Sequence, residues 1–394
     1  MELLLDDAAR SAQARARTFV DRAVMPFAAE YDRDQRVPTE HVQALAAEGW
    51  LGKDISSEYG GGGLDPLSFG LTIEEFGRGC SSIRSLLTVH GMVTCALARW
   101  GSPAQRERFL PPFARGAELA ALAFTEPSSG TDLSGVSTHA QAAKDGFTLS
   151  GHKLWITFGQ LADWFLVLAQ SAAGPVTLLV PRSAPGLRIT PLPGPLGTRG
   201  SMLAELGFEA CFVPSEQVLA KPGLGLSLVG ATALDHGRFT VAWGCVGIME
   251  ACLRHSAEHA MQRKQFGAPL AEHQLIRRLL SDMTTSLRAA RSLCLHAARL
   301  RAALHHDSVT ETSVAKYFAA QAAMRAAADA VQIHGALGCQ PGQTVERCFR
   351  DAKVMEIIEG TNEMHQLMIA DLSLQDAAQR RGMAEAARRA VGGT

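Results

Sequence analysis

From Asp6 to about Arg115, apolar residues recur mostly at the three-and-four spacing of helix faces. The pattern breaks at Tyr59-Gly60-Gly61-Gly62-Gly63, where the glycines mark a turn or loop. This predicts an all-α first domain over residues 1–117. Between about Glu118 and Gly225, short β-prone runs such as Trp164-Phe-Leu-Val-Leu168 and Val176-Thr-Leu-Leu-Val180 alternate with Pro and Gly, predicting a compact, barrel-like β domain over 118–225. Beyond Gly225 the chain is Ala-rich and helical again. Ile276, Leu279, Leu280, Met283 and Leu287 fall on one helix face, and several such segments predict a helical bundle over 226–378. From about Gln379 the chain turns polar and basic and ends Val-Gly-Gly-Thr, which predicts a flexible tail over 379–394.

Composition narrows the possibilities. At 394 residues the chain exceeds the size of a single growing core, so two or three packed units are expected, and 47% hydrophobic with 20% charged residues fits a globular protein. A formal net charge of -1 offers nothing to a polyanion, so no nucleic-acid partner is expected. The amino terminus, Met-Glu-Leu-Leu-Leu-Asp-Asp, is acidic where a targeting signal is basic, and no apolar run is long enough for a membrane span. The eight cysteines are scattered with no Cys-x-x-Cys pair. They read as reduced thiols in a cytoplasm.

Several motifs fail on inspection. Gly146-Phe-Thr-Leu-Ser-Gly151-His-Lys153 lacks the Lys and hydroxyl spacing of a phosphate loop, and Gly223 and Gly225 do not complete a Gly-x-Gly-x-x-Gly turn. His-Glu-x-x-His is absent. His305 and His306 beside Asp307 read as a solvated helix end, so no metal site is expected.

Four segments remain: Phe124-Thr-Glu-Pro-Ser-Ser-Gly-Thr-Asp132, Lys153-Leu-Trp-Ile-Thr-Phe-Gly159, Arg263-Lys-Gln-Phe-Gly267 and Arg350-Asp-Ala-Lys-Val-Met-Glu-Ile-Ile-Glu-Gly-Thr361. Together and in this order they resemble the acyl-CoA dehydrogenase family over nearly the whole chain. The resemblance implies an α+β multidomain fold with an all-α first domain, a middle β domain and a C-terminal four-helix bundle. It also implies FAD as cofactor and a homodimer or homotetramer.

Residue by residue, the resemblance assigns roles that the chemistry of each side chain supports. Phe124, Thr125, Gly130 and Thr131 form a turn whose amides and hydroxyls suit flavin oxygens and a pyrophosphate. Trp155 offers a flat surface to the flavin ring, and Thr157, two residues on, is expected on the same strand face. The loop of Arg263, Gln265 and Phe266 matches one that reaches the cofactor phosphates of a neighbouring subunit, and a guanidinium suits that contact. Gln332, Ile333 and Gly335 open the family's second cofactor segment, although Gly335-Ala-Leu-Gly-Cys339 departs from its usual Gly-Gly-x-Gly-Tyr. Thr361 and Glu363 complete the implied cofactor set.

Glu359 is the expected base. Gly360 should break the helix and leave the carboxylate at a junction, with Thr361 or Asn362 capping the next helix. Two neighbouring Ile residues favour desolvation, which raises a carboxyl pKa and makes it a better proton acceptor. In the family this Glu removes the α-proton of an acyl thioester while hydride passes from the β-carbon to flavin N5. Some members carry the base on the residue before the Arg that matches Arg238. Here that residue is Gly237, which cannot accept a proton.

Substrate contacts are implied for Arg84, Thr88, Thr131, Asp235, Arg238 and Gly360. Ser81-Ser-Ile-Arg84-Ser-Leu-Leu-Thr88 resembles the segment by which glutaryl-CoA dehydrogenases hold a distal carboxylate; a structural ion pair is the competing reading of Arg84. Thr240-Val-Ala-Trp-Gly-Cys-Val-Gly-Ile248 and Met355-Glu-Ile-Ile-Glu-Gly360 resemble the acyl carrier protein (acyl-ACP) dehydrogenases of hydroxymalonyl or methoxymalonyl extender-unit biosynthesis. The expectation is therefore a small polar acyl group on an acyl carrier protein, with the electron acceptor open. The alternatives are an ordinary short-chain or glutaryl-type acyl-CoA dehydrogenase and, from another class, a redox-silent scaffold that binds an acyl carrier.

Overall fold

The computed structural model describes residues 5–391. Met1 to Leu4, most of the acidic amino terminus, and Gly392 to Thr394, the last of the expected tail, lie outside the described residues. Six helices come first: α1 (Asp7–Ala23), α2 (Ala28–Asp34), α3 (Thr39–Ala47), α4 (Pro66–Gly79), α5 (Ser81–Trp100) and α6 (Pro103–Ala114). Their starts follow from local chemistry. Asp65 accepts from the amides of Leu67 and Ser68, with Pro66 opening α4, and Ser102 and Gln105 form a reciprocal capping box on α6.

The middle region holds β1 (Ala120–Ala123), β2 (His139–Ala143), β3 (Gly146–Ile156), β4 (Trp164–Ser171), β5 (Gly174–Pro181), β6 (Leu187–Pro191), β7 (Ala204–Pro214) and β8 (Val218–Leu219). The order is β6-β7-β3-β2-β4-β5-β8, with β1 added parallel to β4. This path has two ends, so among the described residues hydrogen bonding does not close it into a ring. The unbroken apolar run in β4 has a simple cause. Leu166 and Leu168 pack against Val93, Leu97, Phe109 and Phe113 of the helices, while Phe165, Val167 and Ala169 point the other way among Leu178, Val180 and Leu206. A strand buried on both faces has no polar alternation to show.

The C-terminal region consists of α7 (Ala231–Gln262), a hairpin of β9 (Lys264–Gln265) and β10 (Ala268–Pro269), α8 (Gln274–Ala302), α9 (Ser308–His334), α10 (Thr344–Met355) and α11 (Asn362–Val391). The two helical regions share one core, in which Phe19, Trp50 and Phe76 join Trp243, Met249, Leu287 and Ala319. Small residues allow this. A Cβ on Gly247 would lie 2.1 Å from the carbonyl oxygen of Glu74, so α4 and α7 cross backbone to backbone. The helix α11 runs through Gln379 to Val391, where a flexible tail was expected. The residues there are mostly Ala, Arg, Gln and Glu, which have high helix propensity. No described helix is long and apolar enough to cross a membrane.

Candidate active site

Glu359 lies in the turn between α10 and α11, with Glu359 at φ 56° and Gly360 at φ 94°. A left-handed Glu costs about 1–3 kcal/mol and persists only where its surroundings hold it. Here they do. Arg238 Nε of α7 donates to the Glu359 carbonyl at 3.3 Å, and His365 Nε2 lies 3.3 Å from the same oxygen. Lys316 Nζ of α9 donates to the Gly360 carbonyl at 2.6 Å. Thr361 then starts α11, its Oγ1 accepting from the Met364 amide at 3.4 Å.

Within the partly exposed Glu359, the carboxylate oxygen Oε2 is buried and has no hydrogen-bond partner among the described residues. Desolvation pushes its pKa up to about 7, against the lowering fields of Arg238, Lys316 and Arg84. Gly237 explains where the carboxylate fits. A Cβ built there would lie 2.5 Å from Glu359 Oε2. The position that cannot supply a base is therefore also the notch that admits the Glu359 carboxylate.

Arg84 is 1% exposed on α5, with Nη1 donating to Thr88 Oγ1 at 3.0 Å and Nη2 lying 3.1 Å from Met355 Sδ. Thr88 in turn donates to Thr240 Oγ1 at 3.0 Å. Among the described residues Arg84 forms no ion pair, so the structural ion-pair reading of this residue fails. Burial lowers its pKa, offset in part by the fields of Cys245, Glu359 and Asp351. Asp235, expected at the substrate, pairs through its carboxylate with Arg301, whose Nη2 also reaches the Asp235 carbonyl at 3.0 Å. One oxygen, Oδ1, is buried without a partner.

The segments expected at the flavin ring are clasped together. Leu154 N donates to the Thr125 carbonyl at 2.9 Å, and the buried Lys153 Nζ reaches the Phe124 carbonyl at 2.9 Å and Glu126 Oε1 at 2.7 Å. Glu126 also accepts from the Ser137 and Thr138 amides at 2.6 and 2.9 Å, which closes the turn carrying Gly130 and Thr131. Trp155 and Thr157 do not share a strand face as expected. The register of β3 against β7 slips between Lys153 and Ile156, Trp155 is left-handed at φ 60°, and Thr157 lies past the strand end. The bulge turns the indole outward, leaving Trp155 52% exposed beside the turn. An exposed indole beside a fixed loop of hydroxyls and amides fits a flavin ring.

The second group gathers at the far end of α7. Arg263, Gln265 and Phe266 form the exposed β9–β10 hairpin, with Phe266 97% exposed. Gln332 and Gly335 are exposed at the end of α9, and the rings of His259 and His334 stack at 4.3 Å to join that end to α7. Ile333 is 3% exposed and belongs to the core, so it has no free surface for a cofactor within this chain; the residue alternates with its neighbours around the helix. Glu363 is exposed on the first turn of α11. His305, His306 and Asp307 are exposed between α8 and α9. Of the eight cysteines, all free, Cys339 is exposed and Cys95 half-buried, while the other six are buried.

Family models cover most of the chain: the acyl-CoA dehydrogenase N-terminal domain matches residues 6–117, the middle domain 121–211 and the C-terminal domain 223–374. The chain belongs to the acyl-CoA dehydrogenase family. It is 35% identical over 360 residues to the human mitochondrial short-chain specific acyl-CoA dehydrogenase, covering 90% of this chain and 87% of that protein. Among solved structures, glutaryl-CoA dehydrogenase from Mycobacterium smegmatis superposes with a TM-score of 0.90 at 30% identity, covering 94% and 96% of the two chains. FkbI, for biosynthesis of the methoxymalonyl extender unit of the polyketide Fk520, superposes with a TM-score of 0.85 at 36% identity, covering 92% and 99%. This acyl-CoA dehydrogenase-family protein is thus an FAD-dependent oxidoreductase of acyl thioesters, with the three-part α, β and α fold of its family. The scaffold alternative falls with that finding.

Lys316, His365 and the Lys153–Glu126 pair were not singled out in the sequence. The signal was available for Lys316, a single lysine in the otherwise apolar and small-residue run Ser313-Val-Ala-Lys-Tyr-Phe-Ala-Ala320.

Proposed function

We propose that the chain is a short-chain acyl-CoA dehydrogenase of glutaryl type, with Glu359 as the α-proton base and Arg84 facing a polar or anionic end of a short acyl group. The observation that carries the specificity is Arg84: a guanidinium 1% exposed, within the field of Glu359, with side-chain hydrogen-bond partners Thr88 and Met355 and no ion pair among the described residues. A buried cation without a counterion is costly, and an anionic acyl terminus would supply one. The buried Oε2 of Glu359 lacks a donor, and its pKa of about 7 suits removal of a weakly acidic α-hydrogen. The turn at Phe124 to Thr131, anchored by Lys153 and Glu126, would present its amides and hydroxyls to the thioester and cofactor. FAD, when bound, accepts the hydride from the β-carbon.

A second reading keeps the same chemistry and changes the handle: a short oxygenated acyl group carried by an acyl carrier protein. The 36% identity to FkbI supports it, but the human short-chain enzyme is as similar at 35%, so the CoA-linked reading stands first. A homodimer or homotetramer belongs to either reading.

Anaerobic titration of the flavin-loaded protein tests both. Butyryl, glutaryl, hydroxymalonyl and palmitoyl groups would each be presented on CoA and on carrier protein, with flavin bleaching followed. We expect glutaryl-CoA or butyryl-CoA to bleach fastest, and Glu359→Gln to slow bleaching by at least about a thousandfold. Arg84→Met should erase any preference for the anionic acyl group over butyryl. Bleaching only by palmitoyl-CoA would overturn the specificity, faster bleaching from the carrier would favour the second reading, and unchanged bleaching in Glu359→Gln would remove the base.

A further inference from the structure

Three nitrogen-bearing side chains from three helices converge on two consecutive carbonyl oxygens of the base turn. Arg238 of α7 and His365 of α11 meet the oxygen of Glu359 at 3.3 Å each, and Lys316 of α9 meets the oxygen of Gly360 at 2.6 Å. None of the three hydrogen-bonds the Glu359 carboxylate, whose Oε2 is without a partner among the described residues.

Lys316 is the unusual member. It is 0% exposed and has no carboxylate within ion-pair distance among the described residues; its single hydrogen bond goes to a neutral carbonyl. A neutral donor would satisfy that carbonyl equally well, while an ammonium must lose its water to reach it. A charge kept there acts on something that is not its hydrogen-bond partner. The charged and titratable groups around it are Glu359 and Glu356 of the turn after α10, Arg238 and Cys245 of α7, and His365 and Glu363 of α11, the last exposed to solvent and held by its own backbone amide and Thr361. Arg84 of α5 faces the same carboxylate. Burial keeps His365 neutral, with a pKa near 4, and holds Cys245 as a thiol, with a pKa near 12. The anion that Lys316 can serve in this group is therefore Glu359, with Glu356 already paired to Lys353 at 2.8 Å.

We infer that Lys316 is a positioning residue for the base: its hydrogen bond to Gly360 fixes the left-handed turn that places the Glu359 carboxylate in the Gly237 notch, and its charge keeps that carboxylate ionisable in a dry site. This rests on the reading of Glu359 as base. Lys316 does not touch the substrate's reacting atoms; it acts through the turn and through its field. Consistent with this, burial lowers its own pKa to about 8, so its support for the carboxylate is strongest at and below neutral pH.

The test uses flavin-loaded protein and the thioester that bleaches wild type best, butyryl-CoA or glutaryl-CoA, with the bleaching rate measured from pH 6 to 9. Lys316→Gln retains a donor to Gly360 without charge, Lys316→Met retains neither, and Lys316→Arg retains charge. Flavin content and melting temperature are measured alongside. In Lys316→Gln the acid limb moves up by about one pH unit, as for loss of one nearby opposite charge. That makes it about tenfold slower than wild type at pH 6, with the deficit within about threefold at pH 9. Lys316→Met shows the same shift plus a loss at every pH, and Lys316→Arg keeps the wild-type acid limb. An unmoved acid limb in both neutral variants, or a deficit of equal size at all pH values, overturns the inference. Glu359→Gln run in parallel separates the two ideas: if it bleaches like wild type the base itself is wrong, whereas an inactive Glu359→Gln with pH-independent Lys316 variants removes only the role of Lys316.

Discussion

At Glu359 the cost of placing a carboxyl group in a dry site has a definite pH signature. Its pKa is raised to about 7 from an ordinary 4.5, mainly by desolvation, so between those values the unfolded chain holds fewer protons than the folded one. Stability contributed by the protonated group is therefore full below about 4.5 and is lost as pH rises to about 7. Glu359→Gln cannot ionise and should be more stable than wild type at pH 8 by about 2 kcal/mol relative to their difference at pH 5. Urea unfolding of the flavin-loaded proteins at both pH values measures this, and an equal difference at the two would contradict the buried ionisable carboxyl. Much of this residue was legible in the sequence, because Ile-Ile-Glu-Gly states both the apolar setting and the break after it. Gly237 was legible only as a missing base. That its absent side chain is the space filled by Glu359 depends on the approach of α7 to the turn, which no local pattern encodes.

Between residues and the molecule stands the pairing of β3 with the turn at Phe124 to Asp132, and its anchor is an ion pair shut away from water. Lys153 and Glu126 are 0% and 3% exposed. Desolvation pushes the lysine down to about 8, while hydrogen bonds from Lys153, Ser137 and Thr138 overcome the desolvation of Glu126 and hold it down to about 2. Removing one partner leaves a buried charge unpaired, at a cost of about 3–5 kcal/mol. Lys153→Met should therefore loosen the turn and weaken FAD binding at least about tenfold, with Lys153→Met/Glu126→Gln recovering part of it. Flavin fluorescence on dilution reads this directly, and undiminished flavin retention in the single variant would show that the clasp does not position the turn. The sequence displayed both segments as separate motifs, and alternation along the strand placed Trp155 and Thr157 on one face. The bulge that separates them arises from a register slip against β7, a partner about 50 residues away in the chain, so it lay beyond strand periodicity.

For the molecule as a whole, helices α1 to α6 and α7 to α11 were legible as two helical stretches flanking a β region, but not as one core, because their union depends on small residues at crossings such as Gly77 and Gly247. What that core leaves outside is equally informative. At the far end of α7, Phe266 is 97% exposed, Met261 63% and Leu275 74%, around a hairpin that also carries the exposed Arg263. We propose that these exposed apolar groups around a cation meet a second copy, in which Arg263 reaches an anionic part of the cofactor. On this arrangement assembly and flavin retention are linked, since a site completed by two chains loses a cation whenever they part. Light scattering with flavin absorbance on serial dilution should show size and flavin content falling together in wild type. Arg263→Ala should keep its assembly yet release flavin at about tenfold higher protein concentration, the loss of one charge-assisted contact. Phe266→Ser should shift both curves, because the exposed ring sits on the same turn. A wild-type monomer that keeps its full complement of flavin would show instead that each chain holds its cofactor alone and that the hairpin has another partner.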